Sequence, residues 1–291
     1  MSKLNYSLKE FLEKLNEYEP GIIGIIKNYT KTYTFNSNEE LKDAVTLWNE
    51  NKDECIKRYG HISYWDTSNV TDMSNLFKDM KDFNQPIGSW DTSNVTNMSW
   101  MFNCAISFNQ DISHWDTSKV TDMSMMFHEA KSFNQPLNNW NTRKVTDMGW
   151  MFCYARSFNQ VISSWDTSQV TRMYCMFRGA ISFNQPLDNW VTSNVIDMVE
   201  MFLKTRSFNQ DLSHWDTSKV EYMRGMFYNA SSFNQDISSW DTSQVTNMES
   251  MFWDAESFNQ DISTWDTSNV KYIEYMFYNC HILEEYKPVF N

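Results

Sequence analysis

Positive charge is scarce in this chain: 24 Lys and Arg stand against 37 Asp and Glu, a net charge of −13 over 291 residues. Such a surface repels phosphate backbones, which excludes nucleic acid as a general partner, and it keeps a long surface soluble. Long apolar runs are missing too. The most apolar, Ile22 to Ile26, is far too short to span a bilayer, so no membrane insertion is expected. The opening MSKLNYSLKEFLEKLNEYEP has no apolar central stretch and does not read as a signal peptide. Cys55, Cys104, Cys153, Cys175 and Cys280 form no CxxC pair and no zinc-finger spacing. They are expected to be free thiols; this favours an intracellular compartment, although an extracellular one is compatible. His61, His114, His128, His214 and His281 occur singly, and no Ser-His-Asp or Cys-His constellation emerges. No catalytic residue, cofactor or metal is expected.

What is present is repetition. Trp65, Trp90, Trp115, Trp140, Trp165, Trp190, Trp215, Trp240 and Trp265 follow one another every 25 residues without an insertion. A fixed period of roughly 20 to 50 residues marks a solenoid, in which each unit buries its apolar face only against its neighbours. Counted from Trp, Thr stands two residues later, Val five later, Met eight later, Met or Leu eleven later and Phe twelve later. Eighteen later comes Phe83 or its copy, then Asn-Gln, then Ile or Leu.

The interval Val70, Met73, Leu76/Phe77, Met80 has the period of an amphipathic helix. Phe83, Gln85 and Ile87 alternate, as in a short strand ending at Pro86, Pro136 or Pro186 in some copies. The expected fold is thus an α/β solenoid of nine 25-residue coils over residues 65–283, each with a short strand and a short helix. The recurrent Asn84-Gln85 pair predicts a ladder of amides bonded from coil to coil. A repeated ligand surface is the alternative. The Thr67 column closes the turn after Trp, or, as a remoter option, templates ice. Asp66 and Asp72 recur, but Asn141, Val191 and Arg172 interrupt their columns, which speaks against a calcium array.

A solenoid needs caps. Ser7-x-x-Glu10 opens a helix through Leu8, Phe11, Leu15 and Tyr18, stopped by Pro20-Gly21. Ser37-x-x-Glu40 opens a second, read as one helix running to Gly60. Residues 1–34 are assigned to an N-terminal helical segment, 35–64 to the cap and 284–291 to a tail, with Leu283 in the position of the strand Phe.

Selective recognition needs letters that differ from coil to coil. Variation concentrates ten, thirteen and fourteen residues after each Trp, which a helix would place on one outward ridge. Trp100, Trp150, Tyr154, Tyr228, Trp253, Tyr275 and Tyr278 lie there, and large aromatics on a surface are enriched in binding hot spots. Drift on a solvated face is the alternative.

WDTSNVTDMSNLF and SFNQDIS resemble the repeats of the BspA-like leucine-rich-repeat surface proteins, and the leader ELKDAVTLWNENKDECIKRYGHISYWDTSNVTDM is similar to the segment preceding such arrays. The resemblance spans residues 39 to 283 and implies a leucine-rich-repeat-like solenoid with a role in adhesion or protein binding. The expected function is a non-enzymatic scaffold for another protein; a cell-surface adhesin or glycan binder is the alternative.

Overall fold

The structure, a computed structural model, describes residues 28–290. The helix expected from Ser7 to Tyr18 lies outside them. A short strand β1 (Tyr33–Thr34) precedes helix α1 (Asn38–Glu50) and helix α2 (Lys52–Tyr59). The sequence reads this stretch as one helix. Asn51 divides it, ending α1 and capping α2 by accepting the Glu54 N–H on its side chain. The expected capping box forms in a shifted version: Ser37 Oγ accepts from the Glu40 N–H, while the Glu40 carboxylate reaches back to the Asn36 N–H. Leu41, Ala44, Val45 and Trp48 of α1 and Cys55, Ile56 and Tyr59 of α2 are buried. β1 pairs in parallel with β2 (Trp65–Asp66), so residues on both sides of the 34/35 boundary pack on the first coil.

The nine units stack, and every apolar column is core. The Val, Met and Phe columns and the Trp column are at most 7% exposed from Val70 through Trp265. Phe rings twelve residues after Trp form a column of near-parallel rings with centroids 5.4–5.8 Å apart. Each from Phe77 to Phe252 also stacks at about 4 Å on the Phe six residues later in its own coil, as Phe152 does on Phe158 at 3.8 Å. From Trp90 on, each indole N–H of the column donates to the Ile or Leu carbonyl 28 residues earlier, for example Trp90 Nε1 to Ile62 O at 2.9 Å and Trp165 to Leu137 O at 3.0 Å, while Trp65 donates to Gly60 O. A buried Trp therefore leaves no polar atom unmet.

The local structure inside each coil differs from the expectation. Among the described residues the repeats contain neither helix nor extended strand beyond β2. Between the Met and the Phe of each unit the backbone runs through successive turns, such as Leu76 N–H to Met73 O, Lys78 to Asn75 and Met80 to Phe77. The intervening N–H groups donate to the next coil: Met73 to Asn97 O, Asn75 to Ser99 O, Phe77 to Met101 O and Asp79 to Asn103 O. Isolated parallel bridges run from Asp72–Asn97 to Asn247–Tyr272. The segment expected to be helical thus carries the inter-coil ladder. Its apolar period of three to four comes from three-residue turns.

That turn pattern needs the left-handed conformation twice per coil, ten and fourteen residues after Trp. Sixteen of these eighteen positions are not glycine, among them Trp100, Trp150, Tyr154 and Glu200; Gly179 and Gly225 fill the other two. A left-handed non-glycine residue is strained by roughly 1–2 kcal/mol. Here its N–H is tied to the coil ahead in every unit but the last, as at Trp150 to Tyr174 O, 2.9 Å.

The Asn-Gln segment carries a side-chain ladder instead of a strand. Asn84 Oδ1 accepts both the Asn109 N–H (3.0 Å) and Gln110 Nε2 (2.9 Å), and the pattern repeats to Asn234 with Asn259 and Gln260. The amides are partly exposed rather than turned into the core. An acceptor on a side chain is indifferent to proline elsewhere in the segment, which is why Pro86, Pro136 and Pro186 are tolerated. The Thr67 column is buried at 0–6% exposure, and its hydroxyls donate across the coil, from Thr67 to Asp91 O at 2.8 Å through Thr242 to Asp266 O. A buried, satisfied hydroxyl cannot face ice, so that expectation falls.

At the C-terminal end one residue is missing from the period. Leu283, expected in the Phe position, is exposed; Ile282 is buried there, and Leu283 N–H takes the Asn place by donating to Asn259 Oδ1 at 3.0 Å. The residues assigned to a tail continue as part of a further coil: Tyr286 O accepts from the Ile262 N–H, Val289 O from Thr267 Oγ1, and Phe290 packs against the core.

The Asp columns close turns. Asp116, Asp166 and Asp216 are held below the usual carboxylate range by the hydroxyl and backbone N–H of Ser118, Ser168 and Ser218. At Asp66, Asp111, Asp211 and Asp236 the backbone N–H of the serine two residues on leads. Asp197, raised by burial, runs the other way. A lowered folded-state pKa means stability that is present above the unfolded value of about 4 and lost as pH falls through the folded one. We expect the melting temperature to drop steadily below about pH 4, and an Asp116→Asn, Asp166→Asn, Asp216→Asn variant, which keeps the turn acceptor as Asn141 does, to show a shallower drop. Equal slopes in both proteins would show that these turns do not carry the pH dependence.

Candidate functional site

The variable letters collect on the turns with left-handed residues, and they meet because residues 24 or 25 apart lie on adjacent coils. Tyr228, Trp253 and Tyr278 occupy one column: Tyr228 stacks on Trp253 at 5.6 Å, and Trp253 meets Tyr278 at 4.5 Å and Tyr275 at 5.1 Å. Tyr275 and Tyr278 are 62% and 57% exposed. Further up the stack, Trp150 contacts His128 at 5.6 Å and Tyr174 at 6.5 Å, and the Arg178 guanidinium lies over both Trp150 and Tyr154. Trp100 stands apart from these rings, with Lys78 Nζ 4.5 Å above its face. Trp100, Trp150, Tyr154, Tyr228 and Trp253 are only half-exposed, unlike the open ridge a helix would give.

The edge also holds groups that the sequence reading passed over. Glu200, 9% exposed, is flanked by Arg178 and Arg224 from the coils before and after it; the Arg224 bond is 2.9 Å. Cys104, His128 and Glu129 lie together, their sulfur, nitrogen and oxygen ligand atoms all within 4.8 Å of one another. Asn103, 3% exposed, bonds His128 Nδ1 at 2.8 Å. Burial lowers the His128 pKa, and burial with the Glu129 and Asp79 carboxylates raises that of Cys104. The signal was available: pairing every residue with those 24 and 25 later brings Cys104 to His128 and Glu129. All five cysteines are free in the structure. Among the described residues no helix is long and apolar enough to cross a membrane.

No curated protein and no solved structure matches this chain. One family model does, over residues 28–160, 136–221 and 210–288, and its first match begins ahead of β1 and takes in α1 and α2 with the early coils. The tandem units and the capping segment before them therefore place the chain in the family described as Mycoplasma protein of unknown function, DUF285.

Proposed function

We propose that this chain is a non-enzymatic scaffold, an open-ended solenoid of leucine-rich-repeat-like kind, that docks another protein on its aromatic edge. The carrying observation is the Tyr228, Trp253, Tyr275 and Tyr278 cluster, packed ring against ring outside the core with two rings mostly in water. Rings ordered in advance lose little freedom on binding, which is what makes such residues hot spots. A glycan-binding adhesin of BspA-like type is the second reading. A sugar needs an open ring face, and Trp253 is flanked by Tyr228 on one coil and Tyr278 on the other, which supports a protein partner.

The test is a Tyr275→Ser, Tyr278→Ser variant beside the parent in affinity capture from the native host, with glycan binding measured in parallel. Both side chains are exposed, so melting should stay within about 0.5 kcal/mol, while capture of a specific protein falls at least tenfold. Equal capture by both proteins would remove this edge from the interface. Glycan binding lost by the variant would favour the second reading.

A further inference from the structure

We propose that Cys104, His128 and Glu129 form a site for a divalent transition metal of the zinc class, clasping the second coil to the third. The donor set is a thiol, an imidazole and a carboxylate, with ligand atoms within 4.8 Å of one another. A tetrahedral ion with bonds of about 2.0–2.3 Å holds its ligands roughly 3.5 Å apart, so small side-chain rotations complete the geometry. The backbone under the donors is already fixed. The Cys104 N–H donates to His128 O and the Glu129 N–H to Cys153 O, both at 2.7 Å, and Cys104 and Glu129 occupy equivalent left-handed positions one coil apart.

The surroundings suit an ion. Asn103 grips His128 Nδ1 at 2.8 Å from a nearly inaccessible position, the outer-shell contact that orients a ligating ring. The Asn103 atom at that distance is Nδ2; with the amide flipped, its oxygen accepts an Nδ1–H and the ring's Nε2 lone pair is left for the metal. Burial lowers the His128 pKa, which favours the neutral ring that a metal ligand requires. Glu129 is engaged through Oε2 by Lys131 at 3.5 Å, a loose and partly exposed pair that leaves Oε1 available. Asp79, one coil earlier in the Cys104 column, stands close enough to act on the thiol and is a candidate for a fourth oxygen. Binding to the protonated thiol releases its proton to solvent, so affinity rises with pH.

Other charged groups on this edge do not compete: Glu200 is already flanked by two arginines, which repel a cation. Among the described residues this is the one group of three such ligands.

Cobalt titration of the metal-free full chain tests the site, because a cobalt–thiolate bond absorbs in the near ultraviolet. One equivalent of Co²⁺ should produce that band and Zn²⁺ should displace it. Cys104→Ser should abolish it, His128→Ala should weaken binding by more than about 100-fold, and Asn103→Ala, which removes only an outer-shell contact, by about 10–100-fold. A second readout is melting: Zn²⁺ should raise the melting temperature of the parent and leave that of His128→Ala unchanged, since only binding to the folded state stabilises it. Circular dichroism establishes that each variant is folded; should Cys104→Ser not fold, the His128→Ala and Glu129→Gln comparisons decide. Absence of the band, or its persistence in folded variants lacking these ligands, overturns the proposal.

Discussion

Phe152→Ala is expected to destabilise the protein by about 3–5 kcal/mol. The ring is fully buried and sits between Phe127 and Phe177 of the adjacent coils, at 5.6 and 5.8 Å, while stacking on Phe158 at 3.8 Å. Its neighbours are held by the Trp hydrogen bonds and the backbone ladder, so they cannot close over the gap, and the cavity adds to the lost burial. A fourth-coil defect also breaks the contact of two neighbours at once, because units of a linear stack support only those beside them. Gln169→Ala, on an exposed variable position, should change stability by less than about 0.5 kcal/mol. Denaturant midpoints distinguish the two; similar losses at both would mean that the Phe column is not the core.

Gly60→Ala should be comparably damaging, by roughly 3 kcal/mol or more, from a single methyl group. Gly60 ends α2 with φ +79° and ψ −179°, a region essentially restricted to glycine. A Cβ there would lie 2.1 Å from the Lys31 backbone carbonyl oxygen, which no rotamer change relieves. Its N–H bonds Ile56 O and its carbonyl receives the Trp65 indole, so movement of this residue also loosens the first coil. Gly179→Ala is the contrast. There φ is +66°, the equivalent positions hold Cys104, Glu129 and Tyr154, and the Cβ would meet only the movable Tyr154 ring. A cost near 1 kcal/mol is expected. If Gly60→Ala melted like the parent, the cap would not be anchored through this turn.

The columns were legible because a recurring buried residue leaves the same letter every 25 places: Trp, Val, Met and Phe all proved to be core. The amide ladder was legible for the same reason. Local conformation was not. Apolar positions at Val70, Met73, Leu76/Phe77 and Met80 fit a helix and a run of three-residue turns equally well. What separates them is the left-handed backbone at Asn75 and Asp79. That geometry usually announces itself through glycine or asparagine, yet here Trp, Tyr, Met and Glu take the same place in other coils. Partners 24 residues away hold it, and no local window contains them. The aromatic letters of the edge were visible for their variability, but their burial was misjudged because Arg178, Lys78 and His128 cover them from adjacent coils. Cys104 and His128 were passed over because metal motifs are sought within short spacings, and stacking replaces spacing here.

The constant reach of these bonds has a kinetic consequence. Inter-coil backbone bonds join residues 24 to 26 apart wherever in the repeats they occur, and from Trp90 on the Trp indoles of the column reach 28. Relative to a 291-residue chain that is about a tenth, a contact order typical of helical bundles rather than of large all-β proteins. Closing one such loop costs the same in the middle of the array as at its end. Two neighbouring coils therefore suffice as a folding nucleus at any point along the array. Growth from that nucleus adds one 25-residue loop at a time, so the folding rate should depend weakly on how many repeats the chain carries.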